Sequence, residues 1–229
     1  LYACVLLSIA DIEYVAVMYP VNQSGGTGFS LVQKERRSLI SIMSLKLQNA
    51  PRVALICGLT TNSDCAFQEA INILRNSFGS IVDQSEPYAL KEGGYYASEM
   101  GRGLKKQLLC FTQPVAPDAL YTHKMLSIGI EHTLAEMRDG ARCRRVNIDP
   151  GLLSIESLVL STTKRVGHRI SIGKGIWAET TLLYQKGAYR PLPWTYLDYQ
   201  REDVQFFLLR VRQWLQVRQR SADDEKSAQ

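Results

Sequence analysis

In the run RRVNIDPGLLS, residues 144–154, Arg145, Asn147 and Asp149 stand two apart, with Val146 and Ile148 between them. On a strand, that alternation sends the apolar pair to one face and the cation, amide and carboxylate to the other. The three polar groups would then span about 14 Å of one face, a set suited to orienting a polar, anionic ligand. A structural reading competes with it. Asp149 precedes Pro150-Gly151, where an aspartate forms Asx turns, and Arg145 is then a surface charge.

A second group lies downstream. Lys164 and Arg165 precede His168, and Arg169 follows it. Like charges favour the neutral imidazole, the form that accepts a proton or meets a phosphate. Glu179 adds a carboxylate. The expected roles are Arg145, Asn147, Lys164 and Arg169 in binding, His168 in proton transfer, and Asp149 and Glu179 in orienting a hydroxyl or a metal. A lone histidine on a strand is more often structural than catalytic. Glu99, Asp149 and Glu179 together would suit magnesium beside a phosphate, but no short ligand spacing supports it. The expectation is no metal site, with any cofactor unknown.

Other chemistries are excluded by their motifs. A phosphate loop needs GxxxxGK[ST] between a strand and a helix; here GLTTNSD follows the first strand without a lysine. The GKG at 173–175 lies between two strand-like runs and reads as a hairpin turn. There is no GxGxxG, no GxSxG and no arrangement resembling a Ser-His-Asp triad. The five cysteines are scattered, odd in number and without CxxC, which fits reduced thiols in a cytoplasm. Net charge is +5, and residues 142–190 hold nine Lys/Arg against three acids. That excess points to an anionic partner such as phosphate, nucleotide, nucleic acid or polycarboxylate, or else to a solvated basic face.

These groups need a scaffold. The chain has 229 residues, 45% of them hydrophobic and 21% charged, which is ordinary for a globular domain. VALICGLT (53–60) reads as a strand. A helix follows, capped by Asn62 or Ser63 and stopped at Gly79, with Phe67, Ala70, Ile71, Leu74 and Phe78 on one face. SIVDQSEPY (80–88) and KKQLLCFTQPV (105–115) read as strands. A long helix from Pro117 to Met137 follows, with a stripe of Leu126, Ile130, Leu134 and Met137, and 144–148 is the fourth strand. The order βαββαβ predicts an α+β fold of the ferredoxin-like, split βαβ kind, with one sheet face open. Ser154 reads as the cap of a short helix to about Ser161. HRISI, IWAETTLLY and YRPL read as an antiparallel meander.

Val204, Phe207, Leu208, Val211 and Leu215 stripe a C-terminal amphipathic helix, expected to dock on the body or on a second copy; an anionic membrane surface is the alternative. Residues 43–220 are expected to form one domain and 221–229 a disordered tail. Residues 1–42 read as an upstream extension, poorly ordered or not native; an extra strand and a linker is the alternative. No run is long and apolar enough for a membrane span.

YYASEMGRGL (95–104), RVNIDPGLL (145–153), STTKRVGHRI (161–170), GIWAETTLLY (175–184) and PLPWTYLDY (191–199) resemble the bacterial and archaeal domain-of-unknown-function family 4416. The resemblance covers roughly 52–199, with five segments in order. It departs at Leu152 and Leu153, where an aromatic is expected, at Ser171 (tyrosine expected) and at Leu197 (proline expected). It implies no established activity; some members carry a loose GTP-binding label, which the missing phosphate loop does not support. The function expected from the residues is binding, and possibly turnover, of an anionic small molecule such as a nucleotide or phosphometabolite on the open sheet face. The alternative is a non-catalytic RNA-binding or protein-interaction module. Tyr95, Tyr96, Trp177, Trp194, Tyr196 and Tyr199 would supply its stacking surfaces, or else lock a terminal segment to the core.

Overall fold

The computed structural model describes residues 5–9, 12–16, 50–91 and 97–227. It divides into two compact units, 1–49 and 50–229. In the first, β1 (Val5–Ile9) and β2 (Ile12–Ala16) pair as an antiparallel hairpin. The remainder of the expected extension lies outside the described residues, as do Tyr95 and Tyr96.

The second unit is built on the apolar run that follows Val53. It forms β3 (Ala54–Thr61), buried at every position, as suits a strand covered on both faces. Ser63 then caps α1 (Asp64–Phe78) by accepting from the Ala66 amide. Next come β4 (Ile81–Gln84), β5 (Tyr88–Ala89), the short α2 (Ala97–Met100) and β6 (Lys105–Phe111). α3 covers Leu120–Leu134, led in by a 3-10 turn at Pro117–Ala119. Then follow β7 (Glu136–Arg138), β8 (Ala141–Cys143), β9 (Asn147–Leu153), β10 (Ser157–Thr162), β11 (Ile170–Gly173), β12 (Ile176–Gln185), β13 (Ala188–Pro191) and α4 (Glu202–Ser227).

Nine strands make one antiparallel sheet in the order β11-β12-β10-β9-β3-β6-β4, with β13 on β12 and β5 on β6. The fold is α+β. One face carries α1 and α3 over a core of Leu55, Leu59, Leu74, Phe111, Ile148 and Leu152. The other carries α4, whose Val204, Phe207, Leu208, Val211 and Leu215 pack against Ile56, Leu108, Leu153 and Leu182. The expected stripe is therefore buried on this chain's own sheet, and the face expected to be open is covered. α4 also continues to Ser227, through most of the stretch expected to be a disordered tail.

Three local expectations are corrected. α3 ends at Leu134, because Asp139 and Gly140 take positive φ, 49° and 77°, and turn β7 into β8 as a two-residue hairpin. Met137 is accordingly exposed, as is Leu126. Ser154 caps a turn rather than a helix: its hydroxyl accepts from the Glu156 and Ser157 amides and joins β9 to β10. The strand read at 144–148 runs instead from Asn147 through Pro150 to Leu153. Pro150 fits because its carbonyl, and with it the side of the missing N–H, faces β10 beyond the last paired residue there; the carbonyl accepts from the Ser161 hydroxyl.

Gly151 pairs with Leu160 at the end of the β9–β10 ladder. A Cβ there would meet Leu160 Cδ2 at 2.6 Å and the Val159 carbonyl at 3.0 Å. Gly151→Ala is expected to lower stability by about 1–3 kcal/mol, read as a lower urea midpoint at unchanged slope.

Candidate functional site

β9 pairs with β10 only from Gly151 to Leu153. Upstream the two strands part, and the outer edge of β9 at 147–149 is bonded by side chains instead of a strand. Glu131 Oε1 accepts the Ile148 amide at 2.7 Å. Lys124 Nζ donates to the Ile148 carbonyl at 3.0 Å and to Asp149 Oδ1 at 3.1 Å. Both come from α3, whose buried face carries Lys124, Ser127 and Glu131 beside Leu120, Ile130 and Leu134.

The ring closes through Arg144. It donates to Asn147 Oδ1 at 3.1 Å and pairs with Glu131 at 3.5 Å and with Glu99 at 2.6 Å. Asn147 Nδ2 in turn donates to Asp149 Oδ2 at 2.6 Å. The Asn147 amide and the Asp149 carboxylate thus stand together, as the ladder reading required, on the face opposite Ile148. Asp149 is part of a continuing strand, not an Asx turn.

Arg145 is not with them. The backbone bends at 145 before β9 begins, and the guanidinium goes to α1, where it meets Glu69 at 2.8 Å. Arg145 therefore lies apart from the Asn147–Asp149 pair, against α1. The three carboxylates of the magnesium reading have separate partners: Glu99 is held by Arg144, Asp149 by Lys124 and Asn147, and Glu179 by His168 and Arg169.

The second expected group does assemble, in the segment between β10 and β11. Glu179, on β12 and only 2% exposed, accepts at Oε2 from Arg169 Nε at 2.7 Å and lies 2.9 Å from His168 Nε2. Its Oε1 is buried without a hydrogen-bond partner among the described residues. The imidazole is in a turn rather than on a strand. It stacks on Trp194, centroids 4.5 Å apart and planes 10° apart. The carboxylate at Nε2 makes the local charge around His168 different from the all-cation surroundings that sequence spacing suggested. Trp194 is itself fixed by donating Nε1–H to the Thr180 carbonyl at 2.8 Å, and Arg169 also reaches the Tyr196 hydroxyl at 3.2 Å. The aromatic strap before α4 therefore locks onto the sheet, with Tyr199 buried beneath it.

Lys164 links the two groups. Arg169 donates to its carbonyl at 2.8 Å. Burial lowers the Lys164 ammonium pKa from the usual lysine range; Asp149 opposes that, while Arg144, Arg169 and Lys124 add to it. Burial also pushes against Asp149, but Lys124, Lys106 and the bonds from Lys124 and Asn147 hold its carboxyl below the usual range. Burial raises Glu131, with Lys124 and the Ile148 amide offsetting only part.

Beneath the strap, Lys106 pairs with Asp198 at 2.7 Å and lies 4.2 Å from the Tyr199 ring centroid. Lys106, Lys124, Glu131, Arg144 and Asp198 were not singled out from the sequence. The signal for the α3 pair was present: Lys124, Ser127 and Glu131 recur at the spacing of one helical face, the same face as the apolar stripe.

A groove of about 630 Å³ lies over the other face of β9 and β10, lined by Leu120, Tyr121, Leu152, Val159, Ile172 and Ala178 among others. None of the expected site residues lines it. Among the described residues, no helix is long and apolar enough to cross a membrane.

The molecule is thus an antiparallel α+β protein with a polar network where its central strand β9 loses its neighbour. The chain belongs to the family described as Domain of unknown function (DUF4416), whose model matches residues 51–214. The match covers the whole sheet of the second unit, both ion-paired groups and the first half of α4. No curated protein and no solved structure matches the chain.

Proposed function

We propose that the protein binds a small molecule bearing a phosphate or carboxylate, of the nucleotide or phosphometabolite kind, between β9 and the segment 163–169. One observation carries this reading. Four cations, Lys124, Arg144, Lys164 and Arg169, gather where β9 parts from β10, with Lys124 on Asp149, Arg144 on the Asn147 amide and Arg169 on the Lys164 carbonyl. An anion entering beside Lys164 would compete with Asp149, Glu99, Glu131 and Glu179 for these cations, with little water to screen the exchange. Asn147 and Asp149 would orient the ligand's neutral hydroxyl or amide groups. The strand order β9-β3-β6-β4 with α1 and α3 on one face also supports the ferredoxin-like, split βαβ reading of the core.

The test is a thermal-shift titration with inorganic phosphate, pyrophosphate and nucleotides, with and without magnesium, against sodium chloride at matched ionic strength. Lys164→Ala is expected to weaken the best anion about tenfold, or ~1.4 kcal/mol. Arg145→Ala is expected to retain the full shift, because its guanidinium faces α1. Absence of any shift in the wild type, or equal loss in the two variants, removes this site.

The alternative, an RNA-binding or protein-interaction module, draws on the exposed Val166, Ile170 and Leu197 near His168 and the strap. A sheet-face RNA platform is disfavoured by the helices on both faces. Generic RNA binding that falls steeply with salt, without any response to phosphate, would favour that alternative.

A further inference from the structure

We infer that His168 is the proton acceptor of this site through Nδ1, with Glu179 as its positioning residue. The inference rests on the anion-site reading for the ligand alone; the histidine geometry stands by itself. Arg169 Nε is always a donor, so the Glu179 oxygen it meets at 2.7 Å is an acceptor. The same Oε2 lies 2.9 Å from His168 Nε2. A carboxylate oxygen already accepting from a guanidinium takes a second donor, so Nε2 carries hydrogen. That holds for imidazole and imidazolium alike, because both have a hydrogen available there. The proton that comes and goes is therefore the one on Nδ1.

Nδ1 has no hydrogen-bond partner among the described residues. The ring cannot turn freely to exchange its nitrogens. Trp194 stacks on one face at 4.5 Å and Glu179 pins the Nε2 edge. The side chain is 21% exposed, enough for a ligand to reach it. Arg169, next in the chain, bonds the Lys164 carbonyl and so ties this imidazole to the segment beside which the anion is proposed to sit. In the step envisaged, a ligand O–H gives its proton to Nδ1 and the oxygen keeps the electron pair. The imidazolium so formed is offset by the Glu179 carboxylate, as in other carboxylate–histidine pairs.

The experiment is long-range 1H–15N correlation on the uniformly 15N-labelled full chain at about pH 8.5, above the ordinary imidazole range. His168→Gln assigns the signals against those of His123 and His132. The wild type is expected to show one pure tautomer, Nε2 as N–H and Nδ1 bare. Glu179→Ala is expected to give averaged nitrogen shifts, the mark of a ring exchanging tautomers, and Glu179→Gln, which keeps an acceptor oxygen, to restore the pure form. Titrating inorganic phosphate at about pH 7 is expected to move the Nδ1 signal toward the protonated range while Nε2 stays nearly still.

A bare Nε2, or an averaged ring in the wild type, overturns the inference whatever the variants do. Phosphate that raises the melting temperature but leaves Nδ1 unmoved also overturns it. If phosphate gives no thermal shift while the tautomer is pure, the anion reading fails and the positioning of His168 by Glu179 stands.

Discussion

Lys124→Met is expected to cost about 3–5 kcal/mol, the usual result of removing one partner from a buried ion pair. The ammonium is 6% exposed and serves two acceptors, the Ile148 carbonyl and Asp149 Oδ1. Methionine fills much the same volume but satisfies neither, and it leaves Asp149 and Glu131 facing each other without the intervening cation. For a domain of this size the loss corresponds to a melting temperature lower by on the order of 10 °C. The double variant Lys124→Met with Asp149→Asn is expected to recover part of it, since the uncompensated charge goes too. Urea unfolding of the four proteins in the cycle checks both statements. A single-variant cost below about 1 kcal/mol would mean that Lys124 is solvated and that the ring around β9 is decoration.

Truncation after Tyr199 is expected to have a larger effect still. Five α4 side chains, Val204, Phe207, Leu208, Val211 and Leu215, are between 0 and 1% exposed against the sheet. Each contributes about 1.5–3 kcal/mol by its burial, so together they rival the whole stability of a typical domain, about 5–15 kcal/mol. The truncated chain should be insoluble or loosely packed, with dye-binding apolar surface. Phe207→Ala, at about 3–5 kcal/mol, gives a graded version that can be measured at equilibrium. A truncated chain that stays folded and monomeric but no longer binds anionic vesicles would overturn the docking of α4 and restore the membrane-surface reading.

β3, β6, the meander strands β11 to β13, α1 and α4 were legible because their apolar periodicity is strong and most of their ends carry caps or glycine turns, whereas the strand read at 80–88 is split into β4 and β5. Gly79 stops α1, and Lys174-Gly175 and Lys186-Gly187 turn the meander at positive φ. α3 was misread at its C-terminal end because Met137 continues an apolar spacing that the Asp139-Gly140 turn interrupts. The β9–β10 hairpin was missed because Pro150 and Ser154 signal a break and a cap in isolation. Only the local parting of the two strands lets a proline sit inside a sheet.

The site was half visible for a related reason. Asn147, Asp149, His168, Arg169 and Glu179 are close in sequence and share an alternation or a charge run. Lys124 and Glu131 act on a backbone group some twenty residues away, and Lys106 meets Asp198 across 92 positions. Such partners follow from tertiary packing, which local spacing does not encode. Arg145 shows the converse error: strict alternation assigned it to the ladder, and one bend in the backbone turned it to the other side.

β3, near the start of the second unit, ends up between β6 and β9. Its register with β9 joins Thr60 to Asn147 and Ala54 to Leu153. The middle of the sheet is therefore closed by pairings that bridge roughly ninety residues, whereas β11, β12 and β13 at 170–191 close through two-residue turns. Loop-closure entropy makes the first kind slow and the second fast. In a growing chain, β3 emerges as a wholly apolar strand well before β9 exists to flank it, and for that interval both its edges depend on β6 or on whatever else in the cell binds extended apolar chain.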